Sequence, residues 1–283
     1  MLAQFFADIA ALWAKYGSVY LNGMKNTLLL AVSATFFGCL IGFICGILQT
    51  IPCAKTDNIF KRIFLGLLRV LIRVYVEVFR GTPMILQAVF IYYGIPYFFG
   101  HVFKNIWFVS LIVVSINTGA YMAESVRGGI MSIDIGQTEG AKAIGMNHFQ
   151  TMLYVILPQA LRNIMPQIGN NYIINVKDTS VMFIIGFADF FASHRMVVGA
   201  VYKYFPSAAI EMAGYLTMTL VASFLLRFVE RKLAGSDSYE LAAGDQLVMA
   251  AGTYNSPAKG TPFDEQSKEF GTPKYEVKEE GEA

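Results

Sequence analysis

Ionisable and polar side chains recur at helical spacing inside a long apolar stretch of the sequence, residues 107–130. Asn117, Tyr121 and Glu124 stand at positions i, i+4 and i+7, so a helix would carry them on one face. A glutamate at depth in a bilayer costs about 2.5–3.5 kcal/mol unless it is paired or hydrated. The pattern predicts either the lining of a solute path or an ion-pair stripe between helices, with Arg127 near enough to offset part of the cost.

A second polar group falls within another apolar stretch, residues 168–191. Lys177 and Asp178 are adjacent, so a helix cannot turn them toward each other and each needs its own partner. Thr179 and Ser180 follow directly. Two ionised groups near mid-depth are better explained by contact with a solute or a partner subunit than by packing.

A third signal is the tetrapeptide RGTP, residues 80–83, inside the apolar stretch 71–93. Glycine and proline together free backbone groups that another part of the protein must satisfy. One interpretation is a broken helix that lines a cavity, with Arg73, Glu77 and Arg80 pairing along one face. The alternative is a proline kink flanked by arginines that reach toward the membrane edge.

Residues 139–158 form a polar, helix-capable segment between two very apolar halves. Residues 139–143 favour helix, Gly145 interrupts it, and a second run begins at His148. Pro158 is expected to block further ordinary helix. The pattern predicts two short helices joined at a glycine along the membrane face, and a plain connecting loop is the alternative.

Composition places these segments in a membrane protein. Hydrophobic residues make up 55% of the 283 residues, and the mean hydropathy is +0.50. Apolar stretches suited to a bilayer core of about 30 Å predict an all-α membrane protein with five transmembrane helices. These spans cover about 26–51, 71–93, 107–130, 168–191 and 207–228. An external or interfacial segment 1–21, a transmembrane domain 22–232 and a disordered acidic tail 233–283 complete the predicted organisation.

Glycine recurs within the first predicted span, 26–51, at i, i+4 and i+8. The residues are Gly38, Gly42 and Gly46. One face of that helix is therefore nearly bare backbone, which lets another helix approach closely in lipid.

The charge distribution predicts orientation. With the N-terminus outside, the cytoplasmic segments hold 11 Lys and Arg residues and the external segments hold 5. The net charge of +2 combines a tail of −6, from Gly235 onward, with a body of +8. A basic body is expected of residues that flank spans, so nucleic acid need not be invoked. The C-terminus and the segment 139–158 are expected in the cytoplasm.

Motifs of catalysis and metal binding are missing from the sequence. It contains no G-x-x-x-x-G-K-[ST] phosphate loop and no H-E-x-x-H. Cys39, Cys45 and Cys53 form neither a C-x-x-C pair nor a metal spacing. We expect no enzymatic activity and no metal site in this chain.

The segment 139–158, EGAKAIGMNHFQTMLYVILP, resembles the EAA signature of ABC-importer permeases: E-A-A, three residues, G, nine residues, I-x-L-P. Gly140 and Val155 depart from that pattern. In that family the segment is the coupling element that sits in a groove of the ATP-hydrolysing subunit. The resemblance implies coupling roles for Glu139, Gly140, Ala141, Gly145, Leu157 and Pro158. We call residues 139–158 the coupling segment.

Three further segments are similar to permeases for polar amino acids, of the histidine, glutamine and glutamate type. They are FRGTPMILQAVFIYYGIP (79–96), NTGAYMAESVRGGI (117–130) and VKDTSVMFIIG (176–186). With the coupling segment, the resemblance covers about residues 22–232. It implies a type I ABC importer permease architecture in the bacterial cytoplasmic (inner) membrane, with coupling helices between spans 3 and 4.

The resemblance also implies partners. A second permease subunit, in a homodimer or a heterodimer, would complete the path within the membrane lipid. Two cytoplasmic ATPases would bind ATP and Mg, so this chain needs no cofactor, and an extracellular or periplasmic solute-binding protein would deliver substrate. The expected substrate path is lined by Arg80, Thr82, Asn117, Tyr121, Glu124, Lys177, Asp178, Thr179 and Ser180. An amine of a zwitterion would suit the acids, and its carboxylate would suit Lys177 or a helix N-terminus.

Two other functions fit parts of the sequence. A self-sufficient secondary transporter or channel would use Glu124, Lys177 and Asp178 as a proton relay and would work without an ATPase. A membrane scaffold would use the coupling segment only to dock a cytosolic partner. The missing phosphate loop fits all three functions, and the coupling signature favours the importer.

Overall fold

The computed structural model describes residues 1–53, 58–100 and 103–234, and the chain within these ranges is helical without any strand. The α-helices are α1 Leu2–Thr50, α2 Ile59–Gly81, α3 Met84–Val89, α4 Ile95–Phe99, α5 Ile106–Met131, α6 Ile135–Ala143, α7 His148–Gln150, α8 Leu157–Asp178, α9 Phe190–Val201 and α10 Tyr204–Ala234. Two π-helical stretches, Phe90–Gly94 and Thr151–Ile156, and a 3₁₀ stretch, Thr179–Ile185, join some of them. The predicted all-α class is confirmed, and the predicted tail lies outside the described residues from 235 onward.

The first helix is longer than the sequence predicts. A separate N-terminal segment 1–21 and a first span 26–51 were expected, but α1 runs unbroken from Leu2 to Thr50. No proline or glycine pair interrupts residues 1–50, and apolar residues continue through both parts, so nothing in the sequence stops the helix.

The glycine face of α1 packs against α5, as its spacing predicts. A methyl group built on Gly38 would lie 2.6 Å from Thr118 Cβ, and one on Gly46 would lie 2.6 Å from Val126 Cβ. Any side chain larger than hydrogen would therefore push the two helices apart. This close approach fixes α5, and the polar face that it carries, against α1.

The second predicted span, 71–93, is divided between two helices. α2 ends at Gly81, Thr82 is extended, and α3 begins after Pro83. The expected break in the helix is therefore confirmed. The polar network that satisfies it belongs to the candidate site described below.

The fourth predicted span begins earlier than expected, and Pro158 does not end a helix. The π-helical stretch Thr151–Ile156 passes directly into α8, where Pro158 is in the first turn. The Leu157 N–H bonds to the Met152 carbonyl, five residues back, so the wider π-helical turn carries the backbone past a proline that has no N–H to donate. Pro166 also lies inside α8 and not at a break. Between the predicted spans 168–191 and 207–228, residues 190–201 form helix α9.

Length and composition identify three helices that could each cross a membrane: Leu2–Thr50, Ile106–Met131 and Tyr204–Val229. A fourth span results if His148–Ile185 and Phe190–Val201, which meet at a bend of 52°, are counted together. α2 is too charged to qualify among the described residues, so the predicted number of five spans stays a prediction.

Candidate functional site

Arg80, Tyr121, Glu124 and Arg127 form a charged cluster between α2 and α5. The Glu124 carboxylate accepts a hydrogen bond from the Arg80 guanidinium and a second, at 3.1 Å, from Arg127. The Arg80 guanidinium carbon also lies 5.4 Å from the centre of the Tyr121 ring, at cation–π distance. Two cations on one carboxylate give the cluster a net charge of +1. About 40% of the Arg80 and Glu124 side chains is exposed, so the cluster is not enclosed by this chain.

The sequence predicted one of the two partners of Glu124, since Arg127 was expected to offset part of its charge and the ion pair confirms this. One interpretation also paired Arg73, Glu77 and Arg80 along α2, but Arg80 reaches across to α5. Glu77 takes part in no ion pair in the part of the chain that the structure describes. Pairing between helices was not visible because 44 residues separate Arg80 from Glu124.

Gln87 and Asn117 satisfy the backbone at the break between α2 and α3. The Gln87 side-chain nitrogen lies 2.9 Å from the carbonyl oxygens of Phe79 and Thr82 and from the Thr82 hydroxyl. Asn117 donates to the Phe79 carbonyl at 3.1 Å and to the Gln87 side-chain oxygen at 3.0 Å. These bonds use both amide hydrogens of Asn117, so its side chain holds the broken helix to α5.

A buried chain of hydrogen bonds ties α8 to α1 and α5. Asn175 donates to the Thr35 hydroxyl at 2.8 Å and accepts from the Thr118 hydroxyl at 3.1 Å. All three side chains are buried, so the bonds form in a water-poor environment where unpaired polar groups are costly. These hydrogen bonds fix the position of α8 immediately before Lys177 and Asp178.

Lys177 and Asp178 differ from the charged cluster in having no fixed partner. Lys177 is exposed and Asp178 is half-buried at the end of α8. Within the described residues neither has an ion pair or a side-chain hydrogen bond, and neither contacts Arg80 or Glu124 in this way. Both therefore remain available to a ligand or to another subunit.

Thr179 and Ser180 open the 3₁₀ stretch that follows. Thr179 is fully buried and its hydroxyl donates to the Val176 carbonyl at 3.1 Å. Ser180 is half-buried. The predicted path residues thus fall into two groups, the charged cluster with the Asn117 network and the end of α8.

The coupling segment is a helix, a glycine turn and a second helix. Gly145 has φ of +86°, and Met146 N–H donates to the Ala141 carbonyl at 3.0 Å while Gly145 N–H donates to Lys142 at the same distance. This pair of bonds is a Schellman motif, in which a left-handed residue ends the helix. Any residue with a side chain would be strained at that position, because its Cβ does not fit a left-handed backbone. The predicted glycine joint is confirmed.

Side chains cap both helices of the segment. The Asp134 carboxylate accepts from Gly136 N–H at 2.7 Å and starts α6. Asn147 and Gln150 form a capping box, with each side chain 2.9 Å from the other's backbone N–H. The capping box therefore starts the helical run that continues from α7 through the π-helical stretch into α8.

Apolar side chains of the coupling segment face outward. Ile144 is 77% exposed and Phe149 is 72% exposed, and Tyr154 is exposed as well. Glu139 and Gly140 are exposed beside them, whereas Ala141 is buried against the rest of the segment. Large apolar side chains exposed together on a polar segment mark an interaction surface.

The inner side of the segment is joined firmly to α5 and α8. Ile130, Ile156 and Ile164 belong to one buried cluster, against which Leu157 packs. The exposed Pro158 follows Leu157 at the start of α8. Four polar side chains extend the junction: Gln159 donates to Gln137 at 3.3 Å, and Asn163 donates to Ser132 at 3.2 Å. A displacement of the coupling segment would therefore be transmitted to both helices.

A cavity of about 870 Å³ separates the charged cluster from the coupling segment. The end of α1, the middle of α2, the last turns of α5 and the segment from α6 to Ile156 form its walls. Glu124 and Arg127 line it on one side, and Lys142 and His148 line it on the other. The described residues contain no group of three or more His, Cys, Asp or Glu side chains that could hold a metal ion.

Sequence reasoning did not identify Gln87, Asn175 or Phe149. Gln87 and Asn175 act across gaps of 30 and 57 residues, to Asn117 and Thr118, so spacing could not pair them. No motif or spacing singles out Phe149, and its outward-facing position becomes visible only in the structure.

Comparison with known proteins identifies a matching family and several relatives of this chain. A model of the family described as "Binding-protein-dependent transport system inner membrane component" matches residues 38–235. The glutamine transport system permease protein GlnP of Escherichia coli (strain K12) is 34% identical over 226 residues, which are 80% of this chain and 97% of that protein. The arginine transport system permease protein ArtQ of Bacillus subtilis (strain 168) is 31% identical over 217 residues, 77% of this chain and 93% of that protein.

Solved structures agree with these relatives. A chain in a crystal structure of an amino acid ABC transporter with histidines superposes with a TM-score of 0.68 at 34% identity, covering 77% of this chain and 96% of that one. A chain of the MetNI methionine ABC transporter, in an inward-facing conformation, has a TM-score of 0.62 at 19% identity, covering 76% and 96%. The second likeness concerns the fold alone.

Proposed function

The chain belongs to the family of binding-protein-dependent transport system inner membrane components, and we propose that it is the permease subunit of an ATP-driven importer for polar amino acids. Amino acid transport and a multi-pass inner-membrane location follow from the family and the apolar helices. The more specific parts of the proposal are the coupling route, the path and the partners.

The coupling segment carries the proposal. Its outer surface presents Ile144 and Phe149 to solvent, while its inner surface is bound to α5 and α8 through a shared core. A surface of this kind is suited to docking in a groove of a cytoplasmic ATPase, since burial of a large apolar side chain contributes about 1.5–3 kcal/mol. ATP-driven closure of two ATPases would move the segment and tilt both helices, as alternating access requires.

In the proposed substrate path, the Glu124 carboxylate is neutralised by arginines, whereas Lys177 and Asp178 have no fixed partners among the described residues. Glu124 is already bound by Arg80 and Arg127, so the charged cluster suits a carboxylate better than an amine. Asp178 and Lys177 have no fixed partners and suit the amine and the carboxylate of a zwitterion. This assignment revises the expectation that Glu124 would bind the amine.

Substrate class and partners follow the relatives. The relatives named above are permeases of glutamine and arginine transport systems, and the solved neighbour is an amino acid transporter with histidines. We therefore infer a polar amino acid as cargo, a second permease, two ATP-binding subunits that supply ATP and Mg, and an external solute-binding protein. The N-terminus lies outside and the C-terminus inside in this proposal, in accord with the Lys and Arg count.

The test compares two glycines of the coupling segment. Gly145→Ala forces a side chain into a left-handed backbone, at a cost of about 1–2 kcal/mol, whereas a methyl group on Gly140 would meet no atom within 4 Å. We expect ATP-driven uptake and substrate-stimulated ATP hydrolysis, measured on purified complex in proteoliposomes, to fall at least fivefold in Gly145→Ala and to stay unchanged in Gly140→Ala.

Equal activity in the two variants would contradict the coupling role. Uptake by this chain alone, driven by an ion gradient, would instead establish the secondary transporter. The same preparation also tests the scaffold alternative. If the chain were only a scaffold, adding substrate would leave the rate of ATP hydrolysis unchanged.

A further inference from the structure

The cavity between the charged cluster and the coupling segment has an excess of positive charge. Four cations line it: Arg69, Arg73, Arg127 and Lys142. Two carboxylates, Glu77 and Glu124, line it as well. The lining therefore carries a formal charge of +2, before any contribution from His148.

Two of the cations have no counter-ion among the described residues. Arg73 on α2 and Lys142 on α6 form no ion pair and no side-chain hydrogen bond. Glu124 cannot serve them, because Arg80 and Arg127 already occupy its two oxygens. Glu77, four residues from Arg73 on α2, forms no ion pair with either cation in the part of the chain that the structure describes. Unpaired cations that line one concave site repel each other, and an anion bound among them would remove that repulsion.

Arg69 provides an independent observation. One terminal nitrogen of its guanidinium donates to the Ile51 carbonyl, which holds the side chain at the end of α1. Its Nε atom is buried and has no hydrogen-bond partner. A buried N–H without an acceptor is rare, and a bound anion is one of the groups that satisfy it.

We propose that this cavity binds a phosphate-type oxyanion between α2 and the coupling segment. Arginine suits such a ligand because its planar group of donors matches phosphate oxygens, and lysine adds a point charge. The ligand is the headgroup of an anionic phospholipid of the inner leaflet or free inorganic phosphate. Basic pockets between helices at the cytoplasmic face are a recurrent form of phospholipid site.

The site lies where occupancy would influence coupling. Arg73 belongs to a helix of the proposed path, and Lys142 belongs to the helix that the Gly145 turn ends. An anion that bridges them would hold α2 and α6 together. The proposal takes its cytoplasmic orientation from the proposed function, but binding itself requires neither ATP nor transport.

The experiment measures binding to purified complex that contains the full chain. Native mass spectrometry counts phosphatidylglycerol retained from nanodiscs of phosphatidylcholine with phosphatidylglycerol. Calorimetric titration with inorganic phosphate uses nanodiscs of phosphatidylcholine alone. We expect Arg73→Gln/Lys142→Gln to lower lipid retention or phosphate affinity at least tenfold.

The control is Lys104→Gln/Arg195→Gln, which removes the same two charges from exposed positions that do not line the cavity. It should bind as the native chain does, and Arg73→Lys/Lys142→Arg, which keeps both charges, should retain binding. Lipid retention without phosphate binding identifies a headgroup, and phosphate binding without lipid identifies the free ion.

Unchanged binding in Arg73→Gln/Lys142→Gln, or an equal loss in the control, overturns the proposal. So does carbodiimide cross-linking of Lys142 to a carboxylate of the ATPase, since a protein side chain would then fill the cavity. Loss of ATP-driven uptake with anion binding intact would count against the proposed function and leave this site standing.

Discussion

The charged cluster and the coupling segment belong to the same helical framework. They differ in whether their side chains find partners within this chain. Within the cluster, Glu124 is bound by Arg80 and Arg127, and the nearby break in the helix is closed by Gln87 and Asn117. The coupling segment is rigid inside, with a Schellman turn and a capping box, yet leaves large apolar side chains uncovered.

This difference indicates what each region needs from outside. Polar groups in a membrane must be paired within the protein because lipid offers no hydrogen bonds. Large apolar groups exposed together are disfavoured by water, and their burial against a partner is favourable. The carboxylate of the charged cluster is therefore paired within this chain, whereas the proposed role of the coupling segment requires a partner surface.

Replacing Phe149 by aspartate should have the largest effect. The change removes an exposed apolar anchor, whose burial contributes about 1.5–3 kcal/mol, and adds a charge. We expect the affinity for the ATPase to fall at least tenfold, as measured by titrating purified ATPase onto permease in nanodiscs. Phe149→Leu, which keeps the apolar surface, should lose far less, and equal losses would show that this surface is not the dock.

Glu124→Gln tests the other region. Removal of the charge leaves Arg80 and Arg127 without a counter-ion. The charged cluster therefore becomes more positive and less ordered. Uptake in proteoliposomes should fall about tenfold at an unchanged ATPase affinity, since a charge-assisted bond contributes about 1.5–3 kcal/mol. If uptake is normal in both Glu124→Gln and Lys177→Gln, the assigned path is incorrect.

Gln87→Ala should destabilise the fold more than it impairs coupling. It leaves the Thr82 carbonyl without its side-chain donor and the Phe79 carbonyl with Asn117 alone, in a site where Gln87 is only 7% exposed. An unsatisfied buried group costs about 1–3 kcal/mol. A lower thermal unfolding temperature of the detergent-solubilised protein is expected, and an unchanged temperature would show that other groups replace Gln87.

Asn147→Ala should have the smallest effect of the series. It deletes one half of the capping box, and the loss of such a cap costs about 0.5–2 kcal/mol. Stimulated ATP hydrolysis should fall about twofold to fivefold, because α7 loosens while its apolar surface remains. Asn147→Asp, which keeps an acceptor oxygen at the cap, serves as the control and should preserve activity.

The sequence predicts local features of this molecule well. The glycine face of α1 and the turn at Gly145 follow from residues without a side chain, which allow a close helix contact or a left-handed backbone, and the break at residues 80–83 follows from a proline that fixes φ and lacks an N–H. The helix predicted at 107–130 matches α5 to within one residue at each end. The coupling segment was predicted from its polarity between apolar halves, its glycine joint and its resemblance to the EAA signature.

What could not be predicted depends on contacts between distant residues. Arg80 pairs with Glu124, and not with Glu77, because α2 lies beside α5. Pro158 was expected to end a helix, but a π-helical stretch before it leads straight into α8. Asn117 was predicted to line the substrate path. Nothing in the sequence indicated that its two amide hydrogens would bond to the Phe79 carbonyl and the Gln87 side chain.

The length of α1 has a mechanical consequence. Its 49 residues make a rod of about 73 Å at about 1.5 Å per residue. The glycine face anchors this rod near its C-terminal end, and Asp8 near its N-terminal end is linked to Lys203 at 2.6 Å. A pivot of about 10° at Gly42 would sweep the N-terminal tip through ~10 Å, given the same rise per residue. A small shift of α5 beside Gly42 would thereby become a much larger displacement at the far end of α1.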